Sequence, residues 1–285
     1  MGDLIDLALI LRVTRPARVG PDGVWRATRT PEGAVTQRIW VEAGQVRSEE
    51  WGPGSAWAVA HLATLLGGRD RPQDFVPRHP LLRDLHRLFA GLRFARTEAV
   101  FEAALPTILE QQVPGVQARS SYRRIVAELG EPAPGPGGLR LPPAPERLAA
   151  MPYWAFHKFG VERRRADVIR TAARHARRLE EATAMAPDAA RRRLTAVPGL
   201  GEWSAAEIAA VALGDADAVS TGDYHLKHVV SWALAGEPRG SDDRMLELLE
   251  PYRGQRGRAI RLLELAGVQA PRRGPRKPLH RIEAI

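Results

Sequence analysis

Leu194-Thr195-Ala196-Val197-Pro198-Gly199-Leu200-Gly201-Glu202-Trp203-Ser204-Ala205, followed downstream by Ser220-Thr221-Gly222-Asp223-Tyr224, is the most informative part of this chain. A Pro-Gly-Leu-Gly turn between two helical patterns leaves successive backbone N–H groups unpaired at a helix start. Those orphan amides and the positive end of the helix dipole converge on one place, which makes a cradle for a phosphate. Gly199 and Gly201 can take positive φ and carry no Cβ to hold a phosphate oxygen away. Leu200 between them can turn inward and anchor the turn. Asp223 then supplies a lone carboxylate downstream. An ordinary helix–turn–helix connection is the competing reading of Pro-Gly-Leu-Gly taken by itself.

Composition agrees with a polyanionic partner. The 285 residues hold 42 Lys+Arg against 33 Asp+Glu, a net charge of +9 and a pI near 10.7. Lysine is confined to Lys158, Lys227 and Lys277, and the other basic residues are arginine, which suits phosphate but also follows from a GC-rich genome. Cysteine is absent, which excludes disulfides, thiol nucleophiles and cysteine-held zinc or iron–sulfur clusters. Met1 to Val13 has no basic leader and is interrupted by Asp3 and Asp6, so it reads as a strand rather than a signal peptide. No run reaches the ~20 apolar residues of a membrane span. A soluble cytoplasmic protein is expected.

The pattern changes along the chain and predicts an α+β protein. Leu7–Val13, Val24–Thr30 and Val35–Val41 read as strands, with a hairpin at Pro31-Glu32-Gly33, and Gln45–Trp51 adds another. Ser55–Leu66 reads as a helix capped by Ser55. These form a small N-terminal α+β domain, residues 1–93, with Trp25 and Trp40 on a sheet face or in the core. Residues 94–270 are mostly helical: Thr97–Val113 with Pro106 kinking or breaking it, Gly115–Leu129, Val161–Glu181, Pro187–Ala196, Glu202–Leu213, Asp223–Ala235, Asp242–Leu249 and Arg258–Leu265. The segment Pro132–Pro145 is an exposed loop inside this region. Residues 271–285 form a basic tail.

Four stretches in order carry a family resemblance: Phe101-x6-Ile108-Leu109-Glu110-Gln111-Gln112, then Phe159-Gly160-Val161-Glu162-Arg163-Arg164-Arg165-Ala166, then the turn at 197–203 with Ser204-Ala205, then Gly222-Asp223-Tyr224-x-x-Lys227. Together they resemble the helix–hairpin–helix superfamily of DNA base-excision glycosylases, and in particular its alkylpurine branch, the 3-methyladenine DNA glycosylase II type. The resemblance implies a partner, double-stranded damaged DNA, and a reaction that needs no cofactor and no required metal: extrusion of a damaged base and hydrolysis of its N-glycosidic bond. By the same likeness Asp223 is the catalytic carboxylate, against a plain helix-capping role that suits Asp after Gly. A fixed carboxylate stabilises the positive charge that builds on the sugar and orients the attacking water.

The remaining assignments follow from that resemblance. Trp203 stands where strand-nicking relatives carry a Schiff-base lysine, so a monofunctional enzyme is implied. It either packs in the core or lines the base pocket, where an indole favours a cationic alkylated purine. Glu207, one turn on, replaces an aromatic of the familiar alkylpurine enzymes and joins Trp203 and Tyr224 as a pocket residue. Gln112 aligns with the wedge that fills the gap left by an extruded base, unless Gln111 and Gln112 only end a helix before Pro114. Gly199, Leu200, Gly201, Gln111, Gln112, Lys227, Arg163, Arg164 and Arg165 are the expected DNA contacts. The carbonyls of Thr195, Val197 and Leu200 are a candidate monovalent-ion site. Three rival readings stand: a metallohydrolase built on Asp223, His225 and His228, a DNA-binding protein that keeps the grip without catalysis, and a glycosylase for deaminated or oxidised bases. The setting implied is the bacterial cytoplasm, on the nucleoid when DNA is bound, with the protein a monomer.

Overall fold

The computed structural model describes residues 6–11 and 17–271, so the tail expected at 271–285 lies outside the described residues except for Pro271, as does the end of the strand expected over Leu7–Val13 beyond Leu11. The fold is α+β. Strands β1 (Ala17–Gly20), β2 (Gly23–Thr30), β3 (Gly33–Glu42) and β4 (Gln45–Trp51) form an antiparallel meander in the order β1-β2-β3-β4. The β2–β3 hairpin closes on Thr30 paired with Gly33, as the Pro31-Glu32-Gly33 signal requires. Leu7–Leu11 is a correction: it is a helix, α1, and not a strand. Asp6 Oδ1 accepts the Leu9 N–H at 2.9 Å, and Leu7, Ile10 and Leu11 are the buried residues, at helical spacing, packed with Val24 and Ile39 of the sheet.

Helix α2 (Ser55–Leu65) starts at Ser55, but Ser55 is its first residue and Gly54 its cap; the Ser55 hydroxyl donates to the Gly52 carbonyl instead. Helix α3 (Pro80–Leu88) follows. The central helix, α4 (Val100–Glu110), is buried on nearly every side, from Val100 and Phe101 through Leu105 to Ile108 and Leu109. It runs through Pro106 without breaking, because Pro106 lies on the partly exposed stripe with Glu102 and Glu110 and packing on the other faces holds the helix. The Glu180 carboxylate caps its first turn, accepting N–H from Val100 and Phe101 at 2.9 and 2.8 Å. From the same helix, Glu102 accepts the Thr28 hydroxyl and the Arg29 N–H, which fastens α4 to β2.

Around α4 stand α5 (Gly115–Leu129), α6 (Pro145–Ala150), a 3-10 segment at Tyr153–Phe159, α7 (Arg163–Arg174), α8 (Ala176–Glu180), α9 (Pro187–Thr195) and α10 (Glu202–Ile208). The single helix expected over Val161–Glu181 is two, parted at His175, and α10 continues as a wide π turn over Ala209–Leu213. Pro132–Pro145 is more than an exposed loop. Pro132 pairs with Arg140, and Gly135 lies so close to Trp51 that a Cβ would come within 2.3 Å of its ring. Trp51 in turn stacks on Trp25 at 5.5 Å.

The chain continues with α11 (Leu226–Ala235), α12 (Asp242–Leu249) and α13 (Arg256–Leu265). Their core includes Leu226, Val230, Met245, Leu249, Leu262 and Leu263 together with Phe75, Leu82, Leu85 and Leu92, so residues from both sides of position 93 share it. An ion pair between Asp70 and Arg258, each side chain only 1% exposed, joins the same two segments. Among the described residues no helix is long and apolar enough to cross a membrane.

Candidate active site

Helices α9 and α10 are the arms of the hairpin. Leu200 is buried in the core with Leu194 and Val197, as expected of an anchor. The two glycines differ from one another. Gly199 has φ +93°, and a Cβ there would come within 2.4 Å of Val168 on α7, so both conformation and packing require glycine. Gly201 has φ −86° and therefore does not use the positive φ expected of it. A Cβ on Gly201 would meet nothing within 4 Å. Its role is openness: it caps α10 without a side chain, over the first-turn amides that have no acceptor within the helix. The Leu200 N–H is not one of the orphans, since it closes the turn on the Val197 carbonyl at 3.0 Å.

Asp223 lies in the loop before α11, outside the helix expected to contain it. Its Oδ1 accepts the N–H groups of His225 and Leu226 at 2.7 and 2.8 Å. Its Oδ2 accepts the indole N–H of Trp203 at 3.2 Å. The capping role and the partnership with Trp203 therefore coexist on one carboxylate, and three N–H donors fix its orientation. Trp203 is half-buried and reaches Asp223 across the space between α10 and the loop. Four residues further along α10, Glu207 accepts the hydroxyl of Ser220, which belongs to the same loop. Burial raises the Glu207 carboxyl above its ordinary range, the Ser220 hydroxyl opposes that rise, and Glu264 and Glu110 add to it. Tyr224 is 67% exposed and stands edge-on to His225 and His228, so most of its ring faces solvent rather than an enclosed pocket.

The end of α4 meets the hairpin. The Gln111 amide donates to the Gly199 carbonyl and to Ser204 Oγ, both at 2.9 Å, so Gln111 ties two elements together. Gln112, next along, is exposed and sits at φ +59°, a conformation that disfavours a side chain. Arg165 corrects the expected DNA contacts: it is 2% exposed and faces inward. It pairs with Glu162 and donates to the carbonyls of Leu109, at 2.7 Å, and Gly160. A guanidinium buried in this way supports the end of α4 and cannot touch a phosphate. Arg163 and Arg164 are exposed, with Arg163 over the Tyr153 ring at 4.7 Å.

Lys227 is held by Asp242 at 3.0 Å, and Asp242 also accepts the Gly222 N–H beside Asp223. Sequence patterns do not point to Asp242, Ser204 or Ser220, because each acts on a partner remote in the chain. Asp223, His225 and His228 do not assemble as ligands: Asp223 is engaged as above and His228 Nδ1 accepts the Gly240 N–H. Among the described residues no three His, Asp or Glu side chains form a metal-binding group. The carbonyl oxygens of Thr195, Val197 and Leu200 are a donor type suited to a hard monovalent cation, and the Val197 oxygen keeps one lone pair beyond its bond to Leu200.

Comparison with known proteins places this geometry among relatives. Residues 105–253, a little over half of the chain, match a family described as "HhH-GPD superfamily base excision DNA repair protein". A 3-methyladenine DNA glycosylase from Archaeoglobus fulgidus has a similar structure, with a TM-score of 0.76 at 21% identity over 94% of this chain and 97% of that one. An 8-oxoguanine glycosylase/lyase of Clostridium acetobutylicum, bound to double-stranded DNA, gives 0.70 at 15% identity over 92% and 91%. A 3-methyladenine DNA glycosylase of the fission yeast Schizosaccharomyces pombe, in complex with abasic DNA, gives 0.55 at 17% identity over 71% and 98%. No curated protein matches by sequence.

Proposed function

The chain belongs to the HhH-GPD superfamily of base excision DNA repair proteins, and from that premise we propose that it is a monofunctional DNA glycosylase that removes alkylated purines from double-stranded DNA. The observation that carries the reading is the Trp203–Asp223 contact, an indole N–H on a carboxylate already fixed by two backbone amides. A carboxylate so oriented beside an open face supplies what hydrolysis of an N-glycosidic bond needs. It stabilises the positive charge that grows on the sugar as the base departs and directs the water that replaces the base.

The same contact argues against strand nicking. Lyase chemistry requires an amine to form a Schiff base with the sugar, and an indole occupies that place. Lys158 is paired with Glu128 and Lys227 with Asp242. The indole face beside Asp223 favours a cationic base such as a 3-methyladenine or 7-methylguanine type. The grip is assigned to the first-turn amides of α10 around Gly201, with Arg163 and Arg164 steering the duplex, and the wedge to Gln112. A monovalent cation on the carbonyls of Thr195, Val197 and Leu200 would add positive charge beside the phosphate. The protein is taken to act as a monomer, with residues 1–93, 94–270 and 271–285 as its three parts.

The test is a panel of duplexes carrying alkylated, oxidised or deaminated bases, with released base measured by mass spectrometry for the protein and for Asp223→Asn. Release of alkylated purines, abolished in the variant while DNA binding persists, is expected. Tight binding with no release from any duplex would refute the enzyme reading. Release of 8-oxoguanine or uracil alone would overturn the substrate, and a borohydride-trapped adduct would overturn the monofunctional assignment.

A further inference from the structure

The Asp223 loop is joined to α10 by two side-chain contacts rather than one. Trp203 and Glu207, four residues apart, share a face of α10. Trp203 donates to Asp223 at one end of the loop, and Ser220 donates to Glu207 at the other. Between these contacts the loop closes on itself, because the Asp223 N–H bonds to the Ser220 carbonyl at 3.3 Å. Ser220 is only 7% exposed, so its hydroxyl has little access to a substitute partner in water. The arrangement is a ladder: two segments side by side, running in opposite directions, with two polar rungs and the reacting carboxylate on one of them.

We infer that Glu207 is a positioning residue, which through Ser220 fixes the loop 220–223 and with it the orientation of the Asp223 carboxylate. The inference rests on the assignment of Asp223 as the group that faces the sugar. It gives Glu207 a role other than reading the base, and it explains a carboxylic side chain at a position otherwise suited to an apolar residue. A carboxyl oxygen accepts the serine hydroxyl whether Glu207 is ionised or protonated, so the rung survives the raised proton affinity produced by burial and by Glu264 and Glu110, with Arg261 opposing. A glutamine keeps the same acceptor, and an alanine removes it.

Two measurements on Ser220→Ala, Glu207→Ala, Glu207→Gln and the Ser220→Ala/Glu207→Ala pair test this. The first needs no DNA: hydrogen exchange of the Trp203 indole N–H, followed by NMR with 15N-tryptophan and assigned through Trp203→Phe. Exchange should quicken in both alanine variants, no further in the double variant, and stay near wild type in Glu207→Gln. Unchanged exchange in the alanine variants would overturn the inference whatever the protein's substrate. The second is single-turnover base release against DNA affinity. The alanine variants should lose about 10- to 100-fold in rate with affinity kept, the size expected of a misplaced reacting group. Additive losses, or a change of preferred base in Glu207→Ala with Ser220→Ala silent, would assign Glu207 to base recognition instead. If the unaltered protein releases no base while the exchange pattern holds, the proposed function fails and the positioning contact stands.

Discussion

Gln111 offers the sharpest way to test how the grip and the wedge are coupled. Its amide nitrogen donates to the Gly199 carbonyl and to Ser204 Oγ, each at 2.9 Å. The Gly199 carbonyl can only accept, so the group facing it must be a donor. Gln111→Ala deletes both bonds. Each neutral bond contributes about 1 kcal/mol net, and the site is partly open to water, so a loss of about 1–2 kcal/mol follows. Gln111→Glu removes the donor to Gly199 and sets a carboxylate against the Gly199 carbonyl oxygen, adding on the order of 1 kcal/mol of repulsion, since no proton lies between the oxygens, while the Ser204 hydroxyl can turn to donate to it. Both variants are therefore less stable than wild type, read from urea unfolding at constant m-value. On the proposed function, the tether would also set how Gln112 and the hairpin address the same stretch of DNA. Single-turnover base release should fall by up to about tenfold in Gln111→Ala, since about 1.4 kcal/mol is one decade. A Gln111→Glu protein as stable and as active as wild type would refute the reasoning, because no donor would then be needed at Gly199.

Gln112→Gly should relieve the φ +59° backbone and raise stability by about 1 kcal/mol, yet lower base release from paired duplex more than from a mismatched site; equal losses on both would argue against a wedge. Arg165→Ala should destabilise by about 1–3 kcal/mol, because it leaves the carbonyls of Leu109 and Gly160 without their buried donor while Glu162 keeps contact with water, and Arg165→Lys should rescue little, since one ammonium cannot span those partners; a variant of near-native stability with a reduced salt slope for DNA binding would return Arg165 to the DNA surface. Burial pushes the Glu180 carboxyl from 4.5 up to about 7, so the native state holds a proton there that the unfolded chain has lost across that interval. The stabilisation from that group is complete below about pH 4.5 and is lost as the pH rises through about 7, on the order of 3 kcal/mol in all, and Glu180→Gln should flatten this part of the stability–pH curve.

The features legible in the sequence are those that local rules govern. The β2–β3 hairpin follows from Pro31-Glu32-Gly33, and the helices from apolar periodicity. The hairpin turn follows from Pro198 to Gly201. The discrepancy at α1 is one of period: Leu7, Ile10 and Leu11 are spaced for a helix, but the strand-like composition beside them suggests period two. Arg165 is hidden for another reason. Three adjacent arginines look alike in sequence, and only the helix angle decides that Arg163 and Arg164 face water while Arg165 turns into the core. Gly199 and Gly201 likewise look like a pair, although the positive φ of Gly199 and its packing against Val168 separate their roles.

The parts that sequence leaves illegible share a physical character. Gly199 and Asp223 belong to loops near the surface, where apolar burial is too incomplete to fix position, and the Leu109 carbonyl, although its side chain is buried, lies in the last turn of α4, where a helix leaves acceptors unpaired. Here the chain uses side chains of distant segments as braces: Arg165 to the Leu109 carbonyl, Gln111 to the Gly199 carbonyl, Trp203 to Asp223 and Ser220 to Glu207. Local spacing cannot announce such bonds, because each joins residues brought together only by the packing of α4, α7 and α10. The braces also divide the labour of the site. On the proposed function, those on the α4 end and the hairpin would set where DNA is held, and those on the Asp223 loop would set what faces the sugar. Cutting a brace of the first kind should weaken affinity and rate together, whereas cutting one of the second should spare affinity and cost rate, so kinetics can assign each brace to its half of the site.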